Sequence, residues 1–410
     1  MVGRAEKLSA MANQYNTCSL CSGEMIRNGF NSSGRSRLRC KKCGTSTTAT
    51  NDSAVQTARF KIFTDWILSS NSLTTIAADN KKSRRQITRW FETFWLVHVP
   101  NNIDPNRVFD QVFIDGTYFG HNNCLLVASS KTHVIAWRWC QRESTANYRR
   151  LLDQIPHPPL VATIDGHHGL LKALKDHWPT TKVQRCLVHI KRNIQQEVGL
   201  YPRHTTGKIL RELSLSLLKV STTEEAAQWS ARLQEFSQLY GRYLNERTFI
   251  KDIQPADIPQ RFRRNKKWFY THYRHRSAWK NLTDRYEEQT LFTFLTSQDN
   301  ARTVQLSRET NSLEGGVNAM VKDLARHHRG MTREHQRTAI DWWCYMHTQS
   351  PRPPHEIAKE QKWGRNALAK VKAASTTNTA NDLDGAPAQY DTGIESTHTN
   401  DIGIRKGKMH

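Results

Sequence analysis

Two sets of residues in this chain have types and spacings that do chemistry. Cys18-x2-Cys21 and Cys40-x2-Cys43 form two pairs with eighteen residues between them, inside the spacing of a four-thiolate zinc site. Each pair turns two thiolates towards one ion, and two pairs close a tetrahedron with no open position. The spacing predicts one structural Zn²⁺. The second set is acidic. Two apolar runs, Val112-Phe113-Ile114 and Ala162-Thr163-Ile164, end in the same dipeptide, Asp115-Gly116 and Asp165-Gly166. Asp-Gly after a strand usually makes only a turn, because Gly permits the backbone angles. If the two strands are neighbours in one sheet, both carboxylates fall at one end of it, and paired hard oxygen ligands suit Mg²⁺. In-line phosphoryl displacement on two ions about 4 Å apart asks for a third acid. Glu314, at the beginning of a helix, is the candidate, although an acid there ordinarily just complements the helix dipole.

Hydropathy patterning predicts the elements that must position these groups. Residues 14–50 carry no helical period and hold the cysteines, a small zinc ribbon. Over 60–95 apolar residues recur at three and four, for example Phe60, Phe63 and Ile67, then Ile87, Trp90, Phe91 and Phe94, which fits three short helices. Ser83 is placed as N-cap of the third, and 55–99 reads as a helix-turn-helix. Strand-like runs follow at 111–114, 124–128 and 133–139, then a helix at 145–155, a strand at 160–164, a helix at 168–177, a strand at 182–184 and a helix to 198. That order is βββαβαβα, and it would set the first and fourth strands side by side. Residues 201–290 lose the strand signal and read as an α-helical insertion. Two more helices fit 310–325 and 332–348, before Pro351, Pro353 and Pro354 break the pattern. Residues 351–410 read as a basic and polar tail, disordered from about 374, where large apolar residues are almost absent.

Composition narrows the partner. In 410 residues, 60 Lys and Arg stand against 37 Asp and Glu, a formal charge of +23, which points to a polyanion. Arg35, Arg37, Arg39, Lys41 and Lys42 crowd the second cysteine pair, and Lys81, Lys82, Arg84, Arg85 and Arg89 cluster about the third helix. Both groups are placed to meet DNA phosphates. In the insertion, Arg261, Arg263, Arg264, Lys266 and Lys267 interleave with Phe262, Trp268, Phe269 and Tyr270. Such a run neutralises phosphates and stacks bases, or it is an amphipathic helix with its aromatics in the core. No membrane span and no secretory signal is legible, so a soluble, cytoplasmic protein is expected. Half of the eight cysteines sit in the two CxxC pairs, and no disulfide framework is expected.

Four motifs in order resemble the DDE transposases of the Mutator-like superfamily, in their bacterial insertion-sequence branch. They are Ile114-Asp115-Gly116-Thr117, then Ile164-Asp165-Gly166-His167-His168-Gly169-Leu170, then the stretch from Gln184 to Asn193 containing Cys186-Leu187-Val188-His189. The last is Thr310-Asn311-Ser312-Leu313-Glu314-Gly315-Gly316-Val317-Asn318, with His328-Arg329-Gly330-Met331-Thr332 after it. The resemblance implies an RNase H-like catalytic core, here 105–200 and 291–350, split by the helical insertion. It implies Asp115, Asp165 and Glu314 as the triad for two Mg²⁺ ions, nucleoid-associated action on terminal inverted repeats and target DNA, and a homo-oligomer. Cys186-x2-His189 is that family's C-x2-H element, with packing or active-site positioning as its expected role. Asn311 is expected to support the site. His167 and His168 contact the scissile phosphate or cap the following helix. The rivals are a domesticated zinc-ribbon regulator that binds without cutting and an RNase H-like nuclease that cuts without joining.

Overall fold

The computed structural model describes residues 18, 21, 23–32, 34, 36–48, 52–101, 103–262, 266–296, 306–310 and 312–367. The chain divides into two compact units, one of Met1–Trp66, Ser72–His98 and Pro353–His410, the other of Ile67–Asn71 and Val99–Arg352.

The first unit begins with an antiparallel three-stranded sheet of β1 (Met25–Phe30), β2 (Ser36–Cys40) and β3 (Ser46–Thr48), in the order β1-β2-β3. Strand alternation buries Leu38 and Cys40 and leaves Arg37 and Arg39 exposed. Three helices follow: α1 (Asp52–Ile67), α2 (Leu73–Asp79) and α3 (Arg84–Phe91). Both short helices are N-capped by serine, Ser72 accepting from the Thr75 N–H and Ser83 from the Gln86 N–H. Phe60, Phe63, Phe91 and Phe94 form an aromatic core with ring centroids 5.0–6.3 Å apart.

Trp363 joins that core, 5.9 Å from the Phe60 ring and only 5% exposed. This corrects the tail expected from residue 351. The prolines there do end a helix, but Pro354 then starts α13 (Pro354–Glu360), as proline at a first helical position can. The part of the tail expected to be disordered lies outside the described residues.

The second unit is built on a five-stranded sheet ordered β6-β5-β4-β7-β8. Its strands are β4 (Gln111–Tyr118), β5 (Cys124–Ser129), β6 (Val134–Cys140), β7 (Val161–Ile164) and β8 (Lys182–Arg185). α4 (Thr145–Leu152) follows β6, α5 (His168–His177) follows β7 and α6 (Leu187–Val198) follows β8. β4 and β5 are antiparallel, and β7 and β8 are parallel to β4. Both faces are covered, so the strands read as apolar runs. Val112 and Ile114 pack against Leu151, Leu170 and Leu174 on one face. Phe113, Leu125 and Val127 pack against Val321, Leu324, Ile340 and Trp343 on the other. Each fully buried side chain of that size contributes about 2 kcal/mol. Helices α11 (Ala319–His327) and α12 (Arg333–Met346) supply that second face.

Between these parts lie α7 (Thr205–Leu217), α8 (Thr223–Leu244), α9 (Tyr273–Glu287) and the short α10 (Thr293–Thr296). They share a core of Leu210, Leu213, Trp229, Leu233 and Leu282 with Ile190 and Ile194 of α6. The insertion is not all helical. β9 (Arg247–Phe249) pairs antiparallel with β10 (Trp268–Tyr270). The aromatic run that could have continued a helix is a strand, as consecutive aromatics favour.

Candidate active site and metal centres

Asp115 and Asp165 are brought together by the way β4 parts from β7. Their ladder ends at Ile114↔Ile164, while β4 keeps pairing with β5 out to Tyr118↔Cys124. Each aspartate is therefore the first residue beyond the parallel ladder, at the end of the sheet where β4 and β7 part and open α/β sheets form crevices. This corrects one expectation: Asp115-Gly116 lies inside β4 and makes no turn. Asp165-Gly166 does follow its strand, and Gly166 has φ +106°, a conformation side chains rarely adopt. A Cβ on Gly166 would overlap the Arg185 guanidinium, whose Nη2 donates to the Asp165 carbonyl at 3.0 Å.

The carboxylates are held by specific donors. Asp115 Oδ1 accepts from the Gly116 N–H at 2.8 Å and Oδ2 from Asn318 Nδ2 at 2.7 Å. Asp165 Oδ1 accepts from the His167 N–H at 3.0 Å. Burial, and then the neighbouring Asp165 charge, push the Asp115 carboxyl up to about 7; Glu143 adds to the rise and His189 opposes it. Burial, then Arg285, draws Arg185 down to about 10. Asn318 is buried, and its Oδ1 has no hydrogen-bond partner.

Around this pair the other expected residues divide. His167 caps α5, its Nδ1 accepting from the Gly169 N–H at 3.2 Å, whereas His168 is exposed at the first position of that helix. Cys186 is buried, and its sulfur accepts from the Thr310 N–H at 3.4 Å and the Thr310 hydroxyl at 3.1 Å. The Leu187 N–H reaches the Arg308 carbonyl at 3.2 Å, and Gln111 bonds both the N–H and the carbonyl of Ser307. Residues 306–310 are thus tied to the sheet a few residues before Glu314. A π-helical stretch, Ser312–Asn318, leads from there into α11. Glu314 falls in that stretch rather than at an α-helix start, and its side chain, like Asn311, lies outside the described residues.

Sequence reasoning passed over Glu143, Tyr148, Arg185 and Asn318. Asn318 stands in a quoted motif without a role, and Glu143 looks like an ordinary acid before a helix capped by Ser144. Only the sheet geometry shows that both lie beside Asp115.

The cysteines converge. Cys18 and Cys43 Sγ are 3.6 Å apart and Cys21 and Cys40 Sγ 3.4 Å. All four lie within 4.8 Å of one another, the one such group of metal-ligating side chains among the described residues. The Thr45 hydroxyl and N–H draw the Cys43 thiol down to about 6, whereas Cys21, although the Gly23 backbone lowers it, is pushed up to about 12 by the Cys43 and Cys40 sulfurs, so the four share protons unequally. The cluster could hold a structural metal such as zinc.

Of the expected DNA contacts, Arg37, Arg39, Lys81, Lys82, Arg84, Arg85 and Arg89 are exposed. Arg35, Arg263 and Arg264 lie outside the described residues. Lys266 and Lys267 are exposed beside a half-buried Trp268, over whose ring Arg247 stacks at 4.2 Å. No helix among the described residues is long and apolar enough to cross a membrane.

Comparison with known proteins adds two findings. Residues 127–252 match the family described as "Transposase, Mutator family", a segment holding Asp165, Cys186 and His189. A transposase for insertion sequence element IS905 from Lactococcus lactis subsp. lactis (strain IL1403) is 28% identical over 135 residues, 29% of this chain and 34% of that protein. The matched part thus spans about a third of the relative. Both findings support a Mutator-like insertion-sequence transposase as what this chain resembles.

Proposed function

We propose that the protein is a DNA transposase that binds the terminal inverted repeats of an insertion sequence, cleaves there and joins a 3′ end to target DNA. The observation that carries this is the pair Asp115 and Asp165, first residues past one parallel ladder, in a chain whose 127–252 segment matches a transposase family. The strand order β6-β5-β4-β7-β8, antiparallel on one side of β4 and parallel on the other, supports an RNase H-like core.

The donor set fits Mg²⁺. It is made of hard oxygens, burial and the Asp165 charge leave the Asp115 carboxylate in need of a cation, and the unpartnered Asn318 Oδ1 adds a further oxygen beside Asp115. Asp115, Asp165 and Glu314 would hold the ions. Ions held by these residues would supply activation of the attacking oxygen and stabilisation of charge on the leaving one. The chain's own groups set the stage: the Gly116 and His167 N–H groups fix the aspartates, and Cys186 fixes the segment before Glu314.

Zinc at the four cysteines would shape the ribbon. With α2 and α3 it would recognise the element ends. Lys81, Lys82, Arg84 and Arg85 crowd the N-terminus of α3, where cations oppose the helix dipole. Their placement is explained by an anionic partner better than by helix stability. A homo-oligomer pairing two ends completes the reading.

Incubating the purified protein with its own element's ends, Mg²⁺ and a target plasmid tests it. Strand joining is the expected result. Cleavage without joining would mark a nuclease, and binding without cleavage a regulator.

A further inference from the structure

Gly116 is open on one side to a side chain from another element. An ideal Cβ there would lie 2.6 Å from Glu143 Oε1, so the glycine lets this carboxylate lie flush against β4, next to Asp115. Three contacts hold it. The Glu143 N–H donates to the Tyr118 hydroxyl at 3.1 Å, the Tyr148 hydroxyl donates to Oε2 at 2.7 Å, and His167 Nε2 stands 3.7 Å from the same oxygen.

These contacts do not balance the charge. The Glu143 side chain is 13% exposed, while His167 is 38% exposed and beyond hydrogen-bonding distance, so their pairing is weak. The Tyr148 donor is neutral. Burying most of a carboxylate with one neutral donor beside the Asp115 carboxylate is costly unless a cation joins them. Arg185 does not fill that role: its Nη2 bonds the Asp165 carbonyl rather than a carboxylate, and its Nε and Nη1 have no partner.

Resting on the reading of Asp115 and Asp165 as a divalent-metal pair, we propose that Glu143 is a further carboxylate of that centre, helping to hold its cations from the α4 side of β4. The Asp-Gly dipeptide at 115–116 then has a physical reason: the aspartate is one ligand, and the missing Cβ admits another.

The test uses the full-length chain saturated with Zn²⁺, with Mn²⁺ as probe and binding read from the spin-resonance signal of free Mn²⁺. Asp165→Asn is expected to abolish binding. Glu143→Gln is expected to weaken it by about tenfold or more while still unfolding cooperatively and, in chelator, at no lower a temperature than wild type. Gly116→Ala keeps every carboxylate but displaces that of Glu143, and it should weaken binding alike, with the double variant no weaker than Glu143→Gln alone. In the wild type, Fe²⁺ with peroxide and ascorbate should cut the backbone near 143 as well as near 115 and 165, which needs no variant to fold. Wild-type Mn²⁺ affinity in Glu143→Gln, or no cut near 143 beside cuts near 115 and 165, would overturn the assignment. Unchanged Mn²⁺ binding in Asp165→Asn would instead sink the metal-pair reading beneath it.

Discussion

At the scale of single residues, a buried carboxylate beside a second one is costly to keep charged. Asp115 is an aspartate drawn up from 3.8 to about 7 by burial and by the charge of Asp165. The sign follows from linkage. The folded form keeps its proton over a range where the unfolded chain has lost it, so stability falls as pH rises from about 4 to about 7 and stays low above. In chelator at pH 8, Asp115→Asn is therefore expected to unfold at a higher temperature than wild type, by the equivalent of up to about 4 kcal/mol. At pH 4 the two should coincide. Equal stability at pH 8 would contradict a cost of burying the Asp115 charge. The aspartates themselves were legible because each ends an apolar run. Glu143 was not, since its partner surface, Gly116, comes from a strand twenty-seven positions earlier and only pairing geometry brings them together.

At the scale of elements, the order βββαβαβα was legible from periodicity; four of the five strands moved by only a residue at their ends, while β4 runs four residues further, to Tyr118, because it keeps pairing with β5. Burial on both faces of the sheet leaves long Val, Ile and Leu runs that declare themselves. The β9–β10 hairpin did not. Its strands are three residues each and eighteen residues apart, too short to show alternation and too distant for a turn signature. The four-cysteine cluster was legible in the spacing of its cysteines, whereas the three short strands beside it were not. Removing metal with a strong chelator, or replacing Cys18 or Cys43 by Ser, should release about one zinc per chain and abolish end binding. Zinc-free protein that still binds ends would contradict this. On α3, exposed Arg84 and Arg85 lie in the first turn. Replacing both with Ala should weaken end binding and flatten its salt dependence by roughly two in log-log slope. An unchanged slope in a salt titration would remove them from the interface.

At the scale of the whole molecule, each unit draws on distant parts of the chain. The first takes Trp363 into an aromatic core otherwise made by residues 60–94. Composition misled here because one buried tryptophan among prolines and charged residues barely moves a window average. Trp363→Ala should destabilise that unit by about 3–5 kcal/mol, visible as an earlier unfolding transition. A transition at the wild-type position would return residues after 351 to a tail. The second unit returns its chain to the sheet after the helical insertion, through residues 306–310 tied to Gln111, Cys186 and Leu187. On this account the return delivers a third acid to the ends of β4 and β7, which makes cutting depend on residues from three separated stretches. The direct measurement is to compare cleavage and binding of labelled element ends, in Mg²⁺, by wild type, Asp115→Asn, Asp165→Asn and Glu314→Gln. Each variant should bind the ends as wild type does and cut them at least about a hundredfold more slowly. Wild-type cutting by Asp115→Asn or Asp165→Asn would contradict the account at its centre.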